Sequence, residues 1–324
     1  ESIHDACLHA FASNHRGPCH DEVRLFLADG LEGSSHPCDL LLIDFAESLR
    51  STVLFPFQHA HEFEQCLQLH LLWLRILYPQ QGVGDLLQAF NAVKEGIPIV
   101  AVAASFQKHP QVIIAHPGEA EKFEDLKDLT LLIGDNGYQG FYQWMIAAYG
   151  FTPNQRQPYT FNPAPFLADK GMAMQGYLSS EPYLIKKTAG FDPKVFLIAD
   201  AGYSTYATTI ETMAQTVETK PEQVKCFVES SILGWYNFLY GDNKAARELI
   251  KKDNPEMTDD KIDYAILKMK ENGIVLSGDA EKFGIGVITD ARVEDFFNKM
   301  VEAGAVDRGL DYKTAYTTAV VGKG

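Results

Sequence analysis

Residues 129 to 150 read LTLLIGDNGYQGFYQWMIAAYG: an apolar run from Leu129 to Ile133, the loop Gly134-Asp135-Asn136-Gly137, then a stretch from Tyr138 to Tyr149 that stops at Gly150. A short apolar run bounded by glycine predicts a buried strand, and the longer stretch predicts a helix. Strand, glycine loop and helix together expose free N–H groups at a helix N-terminus, where an anionic or acceptor group is received. A tight βα turn shows the same pattern without any ligand, so both readings stay open for the motif alone.

The same grammar continues on both sides. Upstream, Asp85 to Lys94 predicts an amphipathic helix with Leu86, Leu87, Phe90 and Val93 on one face and Gly96 as its stop. Ile99 to Ala103 and Val112 to Ala115 predict buried strands on either side of the polar Gln107-Lys108-His109-Pro110. Downstream, a strand is expected over Gln157 to Phe161, a helical segment after Pro163, a helix from about Glu181 to Gly190 and a strand over Val195 to Ala199. This alternation predicts an α/β fold with a largely parallel sheet. From Thr208 onward the text reads as almost entirely helical. Pro221 and Thr258-Asp259-Asp260 open helices there, and Ala291 to Ala303 is the last long one.

Composition narrows the function. The chain has 324 residues, 46% of them apolar, which is enough for one large core or two medium ones. A formal charge of −15 argues against nucleic acid, whose phosphates need clustered Lys and Arg. The nearest approach to a membrane span, Leu67 to Tyr78, is interrupted by His70 and Arg75 and is too short to cross a bilayer. The cysteines form no CxxC pair, so no zinc ribbon is signalled, and neither a structural metal nor a cofactor is expected.

Residues 1 to 82 differ in composition from the rest. All 20 lysines lie from Lys94 onward, whereas eight of the ten histidines and four of the five cysteines fall in the first 70 residues. Three readings of this segment stand: a frame-shifted or misjoined stretch, which accounts for both asymmetries, a divergent N-terminus, and a His/Cys metal module built on Cys19-His20 and His59-x-His61. Asp39 to Phe45 and Val53 to Phe57 are strand-like.

Five stretches carry a resemblance: Gln107 to Pro117 (QKHPQVIIAHP), Gly134 to Trp144 (GDNGYQGFYQW), Tyr177 to Tyr183 (YLSSEPY), Gly202 to Glu211 (GYSTYATTIE) and Gly234 to Asn243 (GWYNFLYGDN). From about residue 83 to 324 the chain resembles the solute-binding proteins of the sulfonate, nitrate and thiamine-precursor group of ABC importers. The resemblance implies an α/β, two-lobed type II periplasmic binding protein fold, with the N-terminal part of lobe one departing from the pattern. Lobe one would comprise residues 83–107 and 202–324, and lobe two residues 108–201, with the ligand between them. It further implies an extracytoplasmic, periplasmic location, a monomer, a membrane permease as partner, a small-molecule ligand and no catalytic residue.

A cleft ligand needs a few fixed polar groups and aromatic walls. Glu181 follows two serines and precedes a proline, at the start of a helix; it either pairs with a ligand N–H group or caps its own helix. Asn136, Gly137, Tyr138 and Gln139 form the loop before a helix, where Tyr138 either stacks on a flat ring or packs in the core. Asn162 either faces the cleft or makes an Asx turn. Tyr203, Ser204 and Thr205 lie at the second expected crossing between lobes. His109 and His116 flank the first, and a lone histidine there is more often a satisfied hydrogen-bonding residue than a ligand contact.

The tyrosines and Glu181 favour a flat, partly cationic heterocycle of the thiamine-pyrimidine kind over a sulfonate-like anion, because a buried carboxylate repels an anion. Two rivals remain. A pyrimidine-precursor synthase on the same fold would need clustered cysteines, whereas Lys225-Cys226-Phe227 has no second cysteine nearby in sequence. A ligand-sensing clamp domain is the other.

Overall fold

The computed structural model describes residues 82 to 321; the expectations for residues 1 to 81, the two strand-like stretches and the His/Cys module among them, lie outside the described residues. Two sheets organise the described chain. The first has three strands in the order β1-β8-β2, where β1 is Gly82–Asp85, β2 is Ile99–Phe106 and β8 is Ala207–Met213. The second has five in the order β5-β4-β6-β3-β7, with β3 Gln111–Ala115, β4 Thr130–Ile133, β5 Arg156–Pro158, β6 Met172–Tyr177 and β7 Lys194–Leu197.

Two expectations are corrected. The sheets are not largely parallel: β4 runs parallel to β5 and β6, but β3 is antiparallel to both β6 and β7, and β8 is antiparallel to β1 and β2. The chain crosses from the first sheet as β3 and leaves for it again after β7, and that return reverses direction. The region after Thr208 does not begin as helix either. Thr208, Thr209, Ile210 and Thr212 are β-branched and stiff at χ1, and they complete the centre of the first sheet.

The helix α1, Leu86–Lys94, starts where the Gln88 N–H donates to Asp85 Oδ1 at 3.0 Å, so Asp85 is its N-cap. The next helix, α2, starts earlier than the sequence suggests. It is built of three consecutive runs, Asp135–Gly137, a π turn Tyr138–Tyr142 and Gln143–Tyr149, so Asn136 and Gly137 belong to its first turn instead of a loop. Shorter helices follow at Ala164–Ala168 (α3), Glu181–Ala189 (α4) and Ala214–Thr219 (α5). Then come α6, Pro221–Tyr240, α7, Lys244–Asp253, α8, Asp259–Glu271, α9, Asp279–Phe283, and α10, Asp290–Glu302.

The five-stranded sheet is buried on both faces, as its apolar strands require. On one face Ile113, Leu131 and Ile133 join Leu86 and Phe90 of α1, Trp144 and Met145 of α2, and Phe296 and Met300 of α10. On the other, Val112, Ile114, Leu132 and Met174 meet Trp235 and Phe238 of α6, Ile250 of α7 and Ile262 of α8. The alternation of Val112, Ile113 and Ile114 between these clusters is the two-residue period of a strand. Ile210 of β8 packs with Val102, Val224 and Val228 in a smaller cluster. The chain therefore passes between the sheets twice, through residues 107–110 and 198–206, and Lys108 Nζ joins Asp200 Oδ1 at 2.7 Å from one crossing to the other.

Candidate ligand-binding site

Where the two crossings meet the N-terminal turns of α1 and α2, a cavity of about 310 Å³ opens. Asp85, Gln88 and Asn91 come to it from the start of α1, His109 and Gln111 from the first crossing and β3, and Tyr203 from the second crossing. The first turns of α2 contribute Asn136, Gly137, Gln139, Gly140 and Phe141, Leu87 of α1 adds an apolar contact, and Tyr177 comes from the end of β6. A larger groove of about 590 Å³ runs along α6 between Val217, Val224, Val228, Ile232, Phe283 and Val320. Its charged residues Glu222, Lys225 and Glu229 all belong to one helix, and Lys225 pairs with Glu229 at 3.9 Å, whereas the smaller cavity draws polar groups from several elements, as a ligand site does.

One carboxylate dominates its electrostatics. Among the described residues of the lining, Asp85 is the only charged one and none is Lys or Arg. Burial lifts the Tyr203 hydroxyl well above its ordinary value, and the Asp85 charge adds to this. Burial likewise raises Tyr177, with Asp85 and then Glu181 contributing. Burial lowers His109 while Asp85 opposes it. On β8, Glu211 is pushed up to about 7, first by burial and then by Asp85, although Thr209 Oγ1 donates to its Oε1 at 2.7 Å. The field of Asp85 thus reaches four side chains.

The donors are also ordered. Gln111 N donates to His109 Nδ1 at 3.2 Å. An accepting Nδ1 places the proton of the neutral ring on Nε2. Gln111 Nε2 donates to Gly176 O at 2.9 Å, which holds that amide at the end of β6. Tyr203 is braced by Phe296 at 5.3 Å and Trp144 at 5.5 Å between ring centroids, and His109 stands 6.4 Å from Tyr203 and 6.2 Å from Tyr177. Two tyrosines and an imidazole form walls for a flat ring, with amides around them. At Gly137 a Cβ would lie 2.6 Å from Gln175 Oε1 and 2.7 Å from a Phe141 ring carbon, so backbone faces the cavity there.

Of the nine residues expected from sequence, the structure brings Asn136, Gly137, Gln139 and Tyr203 to the cavity. The other five are engaged outside its lining. Tyr138 lies 5.6 Å from the Tyr142 ring, with the Arg156 guanidinium 4.9 Å over its own. Asn162 Oδ1 accepts from Ala164 N at 3.0 Å, the geometry of an Asx turn. Glu181 accepts from Tyr177 N at 2.6 Å and from the Ser180 hydroxyl, beside the start of its helix. Ser204 Oγ donates to Asp295 Oδ2 at 2.6 Å, and Thr205 Oγ1 to Tyr206 O at 2.9 Å.

Sequence reasoning did not single out Asp85, Gln88, Asn91, Gln111 or Tyr177, and weighed His109 as a structural histidine. A signal existed for three of them. Asp85, Gln88 and Asn91 recur every third residue on the side of α1 away from Leu86 and Phe90, a polar stripe at the start of a helix. Among the described residues no group of three His, Cys, Asp or Glu side chains is placed to hold a metal ion, and no helix is long and apolar enough to cross a membrane.

The sequence profile of the family described as NMT1/THI5 like matches residues 80–244, just over half of the chain. The chain belongs to the NMT1/THI5-like family. No curated protein matches it in sequence. In three dimensions this family member is similar to the alkanesulfonate-binding protein SsuA of Xanthomonas axonopodis pv. citri bound to MOPS, at 9% identity and a TM-score of 0.52 over 73% of this chain and 80% of that one. The periplasmic aliphatic sulphonate binding protein SsuA of Escherichia coli gives 12% identity and a TM-score of 0.51 over 72% and 74%. A protein of Bordetella bronchiseptica gives 14% and 0.50 over 74% and 77%. At these identities the likeness establishes the fold, that of the periplasmic binding proteins.

Proposed function

We propose that this chain is the extracytoplasmic solute-binding component of an ABC importer, which captures a small solute between two lobes and hands it to a membrane permease without catalysing a reaction. The lobes we assign are residues 83–107 with 202–324 and residues 108–201, closing about the two crossings. Family membership, the shared fold and a polar cavity where the crossings meet support this reading.

The ligand we assign is a single-ring nitrogen heterocycle of the thiamine-precursor kind, carrying positive charge or N–H donors. One observation carries it: among the described residues of the lining Asp85 is the only charged one, between aromatic walls. The SsuA proteins that share the fold are named for sulfonates, which makes a sulfonate the competing ligand. An anion 4 Å from Asp85, with no cation among the described lining residues to offset it, meets a repulsion of about 4 kcal/mol at an effective dielectric near 20. A carboxylate reverses that sign for a cation and accepts from an N–H donor.

The test is a thermal-shift screen of aminopyrimidines and other nitrogen heterocycles against alkanesulfonates. Ligand at about a thousand times Kd stabilises the fold by about 4 kcal/mol. Stabilisation by heterocycles and none by sulfonates is the expected result. Stabilisation by sulfonates alone overturns the ligand, and stabilisation by no solute overturns the binding role.

A further inference from the structure

Arg292, in the first turn of α10, touches both crossings. Its Nε donates to Ser204 O at 2.9 Å and its Nη2 to Thr205 O at 3.3 Å, which grips the second crossing. The same Nη2 donates to Gln107 O, and Nη1 donates to Gln107 Oε1 at 3.4 Å, which grips the first. The guanidinium lies 4.2 Å over the Tyr206 ring, whose hydroxyl donates to Asp279 Oδ2 at 3.0 Å. Gln107 and Thr205 are 0% and 1% exposed, so these bonds form away from water. Gln107 is anchored again through its Nε2, which donates to Val287 O at 3.1 Å, and through its N–H, which donates to Ile274 O at 2.7 Å.

We propose that Arg292 is a positioning residue for the cavity: its guanidinium pins the two crossings to each other and so sets the spacing of His109 against Tyr203. The planar fork of arginine is what allows one side chain to hold carbonyls of two separate crossings, and a lysine ammonium lacks that geometry. His109 follows Gln107 by two residues, and Tyr203 precedes Ser204 directly. Motion at either carbonyl therefore passes to a cavity wall through the shortest covalent path. Lys299 supplies a contrast. It donates to Gly202 O at 3.1 Å and to Ser204 Oγ at 3.0 Å, both on the second crossing.

The pin rests on the reading of this cavity as the ligand site only for its purpose, and its test needs no ligand. Amide hydrogen exchange is followed on the full chain for the parent, Arg292→Met, Arg292→Lys and Lys299→Met. In Arg292→Met the amides of residues 104–109 and of 202–207 are expected to exchange about tenfold faster together, while those of Ile113 and Ile114 in β3 change by less than about twofold. Lys299→Met is expected to loosen 202–207 alone. Acceleration of only one segment in Arg292→Met, of neither, or of β3 to the same degree overturns the proposal. If Arg292→Met does not fold, Arg292→Lys is judged by the same pattern at smaller amplitude. Failure of the solute screen with success here refutes the ligand and leaves the pin.

Discussion

Glu211 occupies the space where a side chain on Gly84 would stand: a Cβ there would lie 2.5 Å from Glu211 Oε1 and 2.8 Å from its carboxyl carbon. The glycine on β1 thus lets a carboxylate from β8 lie against the backbone next to Asp85. Gly84→Ala is expected to push that carboxylate off Thr209 Oγ1 and to cost about 1 kcal/mol, the worth of one hydrogen bond. In a Glu211→Ala background the same change should cost less than half as much. Urea unfolding of the four proteins in a double-mutant cycle reads the coupling, and additive costs would refute the contact.

Glu211 also gives stability a pH dependence. Its folded-state pKa of about 7 lies above the ordinary value of 4.5. Between those values the folded chain keeps a proton that the unfolded chain has released, so this carboxyl lowers stability progressively as pH rises through that window. Glu211→Gln is expected to be neutral near pH 4 and stabilising above pH 7, by on the order of 3 kcal/mol if the whole shift is recovered. Melting temperatures of both proteins from pH 4 to pH 8 check it, and a constant difference would refute it.

Asp85→Asn separates binding from folding. Asn is as good an N-cap as Asp, so α1 should keep its start and the melting temperature should move little. Removing the charge should weaken a cationic or N–H-donating heterocycle by about tenfold or more, since hydrogen bonds to charged groups contribute about 1.5–3 kcal/mol. Isothermal titration of the best ligand from the screen decides, and unchanged affinity would remove Asp85 from the site.

His116 is a structural counterpart to His109. Its ring lies 4.4 Å from Phe166 and 4.9 Å from Phe191, and its Nε2 donates to Phe166 O at 2.7 Å in a buried setting. His116→Phe keeps the stacking but leaves that carbonyl only the long bond from Asp169 N at 3.4 Å, which is expected to cost about 1 kcal/mol, the worth of one hydrogen bond. Ligand affinity should be unchanged. A loss of affinity without a loss of stability would show that His116 belongs to the site.

Much of the fold is legible in the sequence. Leu129 to Ile133 and Ile99 to Ala103 are dense in apolar residues with glycine, proline or polar residues beside them, and both form strands. The strand β6 was not anticipated, because Met172, Ala173, Met174 and Gln175 lack β-branching, and only pairing with β3 and β4 on either side makes that segment extended. In β8 the β-branched residues Thr208, Thr209, Ile210 and Thr212 are a strand signal that the helical pattern after them masks. The site shows the same division. Asn136 follows a strand end and Tyr203 lies at an expected crossing, so both are legible, whereas His109 and Gln111 matter through a hydrogen bond between them that sequence patterns do not encode.

The π turn at Tyr138–Tyr142, with Gly140 at φ −101° and ψ −105°, has a consequence for how such a scaffold diversifies. Gly140 leaves helical φ/ψ there, so the residues beyond this kink are turned relative to an unbroken helix. That offset lets Asn136, Gln139 and Phe141 look toward one hollow while Tyr142, Trp144 and Met145 stay in the interior. Losing the kinked residue Gly140 would realign the helix and swing a different set of side chains inward. Ligand preference could therefore be rewritten by a change in length, with both sheets left as they are.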